Sequence, residues 1–187
     1  APPSRPARGI ALCSVWHRAI AHILSAGDMM QLKRTWKTYA VWILLSEALG
    51  ALSGFLTRSG AEQYSEAIAK PPLSPPPIVF PIVWGILFAL MGIGAARVYL
   101  SHASAARSRA LAVFFLQLGF NFFWSIIFFN LQRFGFALLW LLILWALILW
   151  MIAAFAKVDR PAAWMQVPYL LWVSFAAYLN LGVWLLN

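Results

Sequence analysis

The 187-residue sequence is poor in the residues that build disulfide, metal and acid–base sites, with one cysteine, three histidines and five acidic residues. Cys13 has no partner for a disulfide or a thiolate metal site within the chain. His17, His22 and His102 are not spaced as metal ligands are. We therefore expect no metal site and no conventional catalytic group of acid, base and nucleophile.

Apolar residues, in contrast, make up 63% of the chain, and only 10% of its residues are charged. This composition is too apolar for a water-soluble domain of this length. Five apolar runs, each near the roughly 20 residues that a helix needs to cross a bilayer, are predicted to be transmembrane helices. They cover residues 39–56, 78–96, 110–131, 134–156 and 162–187. Because apolar and polar residues do not alternate as in barrel strands, the expected fold is an all-α membrane bundle of five transmembrane helices.

The chain is expected to divide into an arm and a membrane domain. Residues 1–35 are predicted to be a basic, disordered N-terminal extension, and residues 36–187 the five-helix transmembrane domain. Residues 57–77 are predicted to be a lid loop between the first two helices, with prolines at 71, 72, 75, 76 and 77. Prolines restrict the backbone, so this loop loses little entropy when it is held in one shape over the end of the bundle.

The basic residues lie mostly in the N-terminal arm and in the second and fourth loops, whereas Arg58, Lys70 and Arg133 lie in the other two. The positive-inside rule then predicts that the N-terminus and loops two and four are cytoplasmic and that the lid loop faces the opposite side. This distribution does not suggest a nucleic-acid site. A multi-pass protein of a bacterial membrane is favoured, with an organelle membrane as the alternative.

Polar and aromatic residues recur at helical spacing on three of the predicted helices. The stripes are Gln117, Asn121, Trp124, Ser125 and Phe128; Trp84, Phe88 and Met91; and Tyr169, Trp172, Ala176, Leu179 and Asn180. Since uncompensated amides are costly in hydrocarbon, the first stripe must face other helices or a cavity. Hydrogen bonding between helices and the walls of a ligand pocket are both open interpretations.

The first predicted helix carries small residues and one acid. Ser46, Gly50 and Gly54 form a ridge that is predicted to let another helix pack closely. Glu47 is the only acid within a predicted span, which makes it a functional candidate, with a structural role as the alternative.

Three segments, KPPLSPPPIVFPIVWGILFALMG, QLGFNFFWSIIFF and PYLLWVSFAAYLNLGVW, resemble in this order the translocator protein family, also called TspO/MBR or tryptophan-rich sensory proteins. The resemblance runs from about Tyr39 to Asn187. It implies a five-helix membrane protein, commonly a homodimer, with a ligand pocket capped by the first long loop. Family members bind porphyrins such as protoporphyrin IX, sterols, and benzodiazepine- or isoquinoline-type drugs. The porphyrin is a ligand, and no cofactor is expected.

The matching motif positions and the stripes together give the expected site. The ligand-binding residues are Tyr64, Trp84, Phe88, Asn121, Trp124, Ser125, Phe136, Trp172, Ala176, Leu179 and Asn180, and the lid residues are Lys70, Pro71, Pro75 and Pro76. Trp84 and Trp172 match tryptophans that some members need for light-dependent porphyrin breakdown. These two residues are therefore the catalytic candidates if porphyrin is degraded.

Three functions are considered. The favoured one is a membrane protein that binds tetrapyrroles or other flat apolar molecules and acts in porphyrin sensing, regulation or transport, because aromatic walls suit a flat macrocycle. The first alternative is a light- and oxygen-dependent porphyrin-degrading enzyme that uses the pocket tryptophans. The second is a structural membrane protein that binds lipid or a partner. The expected partners are the flat ligand, the lipid bilayer and a second copy of the chain, and not nucleic acid.

Overall fold

The computed structural model describes residues 26–187, and all secondary structure in that part of the chain is helical. The helices are α1 (Ala26–Ala67), α2 (Val79–Leu100), α3 (Ala105–Ser125), α4 (Phe134–Ala156), α5 (Arg160–Trp164) and α6 (Val167–Leu186), and a π-helical turn (Ile126–Asn130) extends α3. Five segments are long and apolar enough to cross a membrane: Thr35–Ala67, Val79–Leu100, Ala105–Asn130, Phe134–Ala156 and Arg160–Leu186. The predicted all-α architecture with five membrane-spanning helices is confirmed.

Residues Tyr39–Asn187 form one compact unit, and the chain up to Thr38 forms another, whose described part is helical from Ala26. Within the larger unit, α4 packs extensively against both α3 and α6. Its buried side chains recur every three or four positions along the helix: Phe134, Ala137, Leu141, Leu144, Ile148 and Met151. The helix α1 meets α2 closely at Gly92, where a Cβ would lie 2.6 Å from the Ile43 Cα, and further along it borders a cavity that separates it from parts of the bundle.

The first helix is longer at its C-terminal end than the apolar run predicts. It continues to Ala67, so most of the predicted lid loop 57–77 is helix, and only residues 68–78 are non-helical. The apolar run stops at Leu56 because the next residues, Thr57 and Arg58, are polar; this change marks the edge of the apolar segment and not the end of the helix. The helix ends where Pro71 and Pro72 disfavour helical backbone in the residues before them. Residues 68–78 are called the lid below.

The first helix also begins earlier than predicted. It starts at Ala26, within the extension 1–35 that the sequence predicts to be disordered. The rest of that extension, residues 1–25, lies outside the described residues. Gln31, Lys33 and Arg34 are polar residues that form helices well, so a search for apolar runs does not find this part of the helix.

The last predicted span is interrupted near its start. Asp159 caps α5 by accepting a hydrogen bond from the backbone N–H of Ala162 at 2.9 Å. The same carboxylate accepts two hydrogen bonds from the Arg97 guanidinium of α2, at 3.2 and 3.0 Å. Pro168 lies in the first turn of α6, where a missing N–H is tolerated. The chain therefore passes from α5 to α6 without a long loop, and Asp159 connects the start of α5 to α2.

The Asp159→Ala substitution is expected to lower the free energy of unfolding by about 2 kcal/mol, since it removes a helix cap and a partly exposed ion pair. Thermal unfolding in detergent would show this as a melting temperature lower by roughly 5 °C. Asp159→Asn is the matched control, because asparagine also caps helices well, and it should retain about half of the lost stability. Equal melting temperatures for the alanine variant and the unsubstituted protein would show that the cap and ion pair contribute nothing.

Candidate functional site

A cavity of about 520 Å³ lies between α1, the lid, α2, α3 and α6. Its lining is mainly apolar and aromatic, and α4 and α5 contribute none of the described residues that form it. The ligand pockets of proteins typically have volumes of roughly 300–1,000 Å³ and similar linings. The cavity is therefore large enough for a flat molecule of several fused or linked rings.

The predicted ligand-binding residues converge on this cavity, with one exception. Those that line it are Tyr64 on α1; Trp84 and Phe88 on α2; Asn121, Trp124 and Ser125 on α3; and Trp172, Ala176, Leu179 and Asn180 on α6. Each of the three helical stripes thus contributes residues to one space, although Met91, Gln117 and Tyr169 of the stripes do not line it. Their role in binding a ligand stays a prediction.

Phe136 does not line the cavity, contrary to the prediction. Its side chain is 51% exposed and lies beside Trp140, with ring centroids 6.0 Å apart. The face of α4 that packs into the bundle carries Phe134 and Ala137 instead, and Phe136 points away from it. The family motif predicts a cavity residue at this position of α4. The cavity, however, is lined by no described residue of that helix.

The four predicted lid residues divide into two pairs. Lys70 and Pro75 line the cavity. Pro71 and Pro76 do not: the Pro71 ring lies against Gly182 of α6, and the Pro76 carbonyl accepts a hydrogen bond from the first residue of α2 at 3.0 Å. The first pair therefore borders the open space, and the second pair fixes the lid to the helices.

Hydrogen bonds also fasten the lid to α6. The Tyr178 hydroxyl donates to the Pro72 carbonyl at 3.0 Å. The Asn187 carboxamide bonds to both the N–H and the carbonyl of Ala69, each at 3.1 Å. The lid is thus held over the cavity by bonds to α6 and to Asn187, which follows it.

Behind the cavity wall, a buried hydrogen-bond chain connects α3 with α6. Asn121 Nδ2 donates to the Tyr169 hydroxyl at 2.8 Å, and that hydroxyl donates to Gln117 Oε1 at 3.0 Å. All three side chains are buried. Gln117 therefore bonds between helices, and Asn121 does so and also lines the cavity, while a role of the stripe in binding a ligand stays a prediction.

The two candidate tryptophans lie in separate aromatic groups. Trp84 is tilted against Phe88, with centroids 5.5 Å apart, and it meets the buried Tyr169 ring edge-on at 6.1 Å. Trp172 lies against Phe80 at 5.8 Å in an edge-on contact. Such contacts restrict the orientation of both indoles, so each offers a defined surface to the cavity.

Two polar atoms of cavity-lining residues have no hydrogen-bond partner among the residues that the structure describes. They are the indole nitrogen of Trp124 and the Oδ1 atom of Asn180. A buried donor and a buried acceptor without partners are costly. A ligand with a hydrogen-bond acceptor and a hydrogen-bond donor at its edge could bond to the Trp124 N–H and to Asn180 Oδ1, respectively.

Sequence reasoning found only Tyr64 on the α1 wall. The structure adds Glu47, Gly54 and Thr57 from α1 to the cavity lining, together with Phe80 from the start of α2. The α1 residues follow the three- and four-residue spacing of one helix face. Glu47 and Gly54 lie within the predicted span 39–56, and the same periodicity continued past Leu56 would have added Thr57.

Comparison with known proteins agrees with this architecture. Residues 42–185 match the TspO/MBR family. The tryptophan-rich protein TspO of Chlorobaculum tepidum is 38% identical over 151 residues, which are 80% of this chain and 96% of that protein. The translocator protein of Bos taurus is 31% identical over 142 residues, 73% of this chain and 84% of that protein. The tryptophan-rich sensory protein of Cereibacter sphaeroides is 32% identical over 149 residues, 80% of this chain and 92% of that protein. With five membrane-spanning helices and a match over most of its length, the chain is an integral membrane protein of the TspO/MBR family.

Proposed function

We propose that this protein binds tetrapyrroles such as protoporphyrin IX, and other flat apolar molecules, in the cavity beneath the lid. The observation that carries the proposal is the convergence of aromatic residues from three helices on one cavity of about 520 Å³. Aromatic side chains stack on flat π-systems and bury a large apolar area. A planar macrocycle gains more from such walls than a compact ligand of equal volume.

The polar groups around the cavity suit the edge of such a ligand. Among the described residues, Lys70 is the only basic one in the lining, and its Nζ lies 5.6 Å from the Tyr64 ring centroid. An ammonium at the lid can pair with the carboxylates that porphyrins carry. The Trp124 N–H and the Asn180 carboxamide oxygen supply a donor and an acceptor at the wall.

The proposed role of such binding is to sense, regulate or transport porphyrins. Two of the relatives are named for sensing and for translocation. We place the N-terminus and loops two and four in the cytoplasm and the lid on the other side, since the basic residues of the sequence are concentrated in the former. We further propose that the protein lies in a bacterial membrane and forms a homodimer.

Quenching of tryptophan fluorescence by protoporphyrin IX, in nanodiscs and in the dark, tests binding. We expect saturable quenching, with affinity about fivefold lower in Trp84→Phe and in Trp172→Phe because each loses aromatic contact area. Trp164→Phe is the control, since Trp164 is 73% exposed and lies outside the cavity. Quenching that does not saturate and is equal in all four proteins would mean partition into lipid, and would favour a structural, lipid-binding role.

A second candidate function is light-dependent breakdown of the bound porphyrin with dioxygen as the oxidant. It is favoured by one observation: both Trp84 and Trp172 line the cavity and would contact the ligand directly. Under illumination in air, the bound pigment should then lose its Soret absorbance in the unsubstituted protein and much more slowly in Trp172→Phe. Equal rates in the two proteins would remove the tryptophan mechanism and leave binding intact.

A further inference from the structure

Glu47 lies near the centre of the membrane-spanning bundle. Gly92 of α2 lies so close to Ile43 that a Cβ on it would be 2.6 Å from the Ile43 Cα, and Gly50 lies against the Phe88 ring. Glu47 is between these two contacts along α1, and so it is level with the middle of α2. With a rise of 1.5 Å per residue, this is about 15 Å from either end of α2. The carboxyl group is therefore close to the middle of the hydrocarbon core.

The Glu47 side chain lines the cavity and has no protein partner within the described part of the chain. Among residues 35–187, the one ion pair is Arg97–Asp159, and no hydrogen bond involves the Glu47 carboxyl group. Lys70 is the only other charged residue in the lining. From Glu47 to Tyr64, above whose ring Lys70 lies, α1 rises about 26 Å. This acid is therefore not neutralised by these residues, although acids at such depth normally pair.

The surroundings of Glu47 combine aromatic rings with free space. Phe88 lines the cavity, and its ring lies against Gly50, one turn along α1 from Glu47; Trp84 is tilted against Phe88 one turn further along α2. Gly54, about 10 Å along α1 from Glu47, and Gly85 on α2 also line the cavity, and a Cβ on either would meet no atom within 4 Å. A carboxylate, aromatic rings and unfilled volume are the groups that recognise organic ammonium ions, through charge pairing and cation–π attraction.

We propose that the inner part of the cavity is a subsite for organic cations, in which Glu47 binds an ammonium group beside Phe88 and the aromatic body of the ligand extends toward Trp84. The ligand class is a hydrophobic amine or quaternary ammonium compound with an aromatic body. A porphyrin whose carboxylates pair with Lys70 would be held at the lid, so the subsite is separate from that contact. The proposal does not require that porphyrin be a ligand at all.

A pair of probes that differ only in charge tests the subsite. They are the (2-naphthylmethyl)trimethylammonium ion and its uncharged carbon analogue, 2-neopentylnaphthalene. Calorimetric titration would use nanodiscs of phosphatidylcholine, a lipid without net charge, with the signal of empty nanodiscs subtracted. We expect the unsubstituted protein to bind the ammonium probe at least about tenfold more tightly than the uncharged probe. An ordinary apolar cavity would prefer the uncharged probe, so equal or reversed affinities overturn the proposal.

A substitution of Glu47 tests whether this residue causes the tighter binding of the ammonium probe. In Glu47→Gln the affinity for the ammonium probe should fall at least about tenfold, while that for the uncharged probe stays within about twofold. Glu66→Gln is the matched control, because Glu66 is an exposed acid of the same helix that does not line the cavity. Glu47→Asp should retain the preference. If both glutamine variants keep the full preference, Glu47 does not bind the cation.

The design remains decisive if Glu47→Gln fails to fold. The comparison of the two probes on the unsubstituted protein needs no variant, and the absence of a cation preference there is sufficient to overturn the proposal. Protoporphyrin quenching is measured separately, so porphyrin binding and cation binding can each fail while the other holds.

Discussion

The Gly54→Leu variant is expected to bind protoporphyrin IX at least about 100-fold more weakly than the unsubstituted protein while remaining folded. Gly54 lines the cavity, and a Cβ at this position would meet no atom within 4 Å. A leucine side chain would therefore extend into the space that the ligand needs. It would not collide with a neighbouring helix, and it removes a helix-interior glycine that costs about 1 kcal/mol.

Two measurements on Gly54→Leu together distinguish a filled cavity from a misfolded protein. Affinity from fluorescence quenching should fall, and the melting temperature in detergent should stay equal or rise. Gly119→Leu is the matched control, since a Cβ on Gly119 also meets nothing within 4 Å but Gly119 does not line the cavity. Retained porphyrin affinity in Gly54→Leu would place the ligand elsewhere. A lower melting temperature would show that α1 packs more closely at Gly54 than the structure indicates.

Gly54 also illustrates what the sequence could not predict about α1. A ridge of small residues predicts close helix packing, and Gly50 meets that expectation by lying against the Phe88 ring. Gly54, one turn later, faces open space instead. Small residues permit close approach but do not require it, because the distance between two helices depends on side chains along their whole length. The spacing of small residues is therefore the same on a helix face that packs against a neighbour and on one that borders a cavity.

The membrane-spanning helices could be predicted well, and their ends could not. Apolar length identified all five spans because it reflects the thickness of the hydrocarbon core. The helix α1 continues to Ala67 because helical hydrogen bonds do not depend on the polarity of side chains such as Thr57 and Arg58. The C-terminal end of α1 is instead determined by Pro71 and Pro72, which the length of the apolar run does not reflect.

Site residues were predictable where chemistry and spacing coincide. On α3, the costly amide of Asn121 and the neighbouring Trp124 had to face the interior, and both line the cavity. Phe136 was assigned from a matching motif position alone. Nothing in the apolar sequence of α4 distinguishes a cavity-facing phenylalanine from one on the outside, and the structure places Phe136 outside.

The Gly182→Val variant is expected to release the lid and to raise amide hydrogen exchange in residues 68–74 by about 100-fold. A Cβ on Gly182 would lie 2.5 Å from the Pro71 Cβ and 2.7 Å from its Cγ. Side-chain rotation cannot relieve this contact, because the proline ring is part of the backbone, so the lid itself must move. Displacing Pro71 also strains the hydrogen bonds of the adjoining lid residues to α6.

The expected magnitude follows from the lid's attachments. Ala69 exchanges two hydrogen bonds with Asn187, and Pro72 accepts one from Tyr178. At about 1 kcal/mol each, their loss would shift the opening equilibrium by about 3 kcal/mol, or roughly 100-fold. The Ala69 amide is the most direct probe, because its own N–H bonds to Asn187.

Hydrogen exchange followed by mass spectrometry in nanodiscs separates lid release from general unfolding. In Gly182→Val, peptides of the lid should exchange faster, while those of α3 and α4 keep their protection. Leu181→Val is the control, since Leu181 is a partly exposed neighbour on the same helix. Tyr178→Phe removes one attachment and should raise exchange only about fivefold. Unchanged lid exchange in Gly182→Val would mean that the lid is not held by α6, and that the stiffness of its prolines alone keeps it over the cavity.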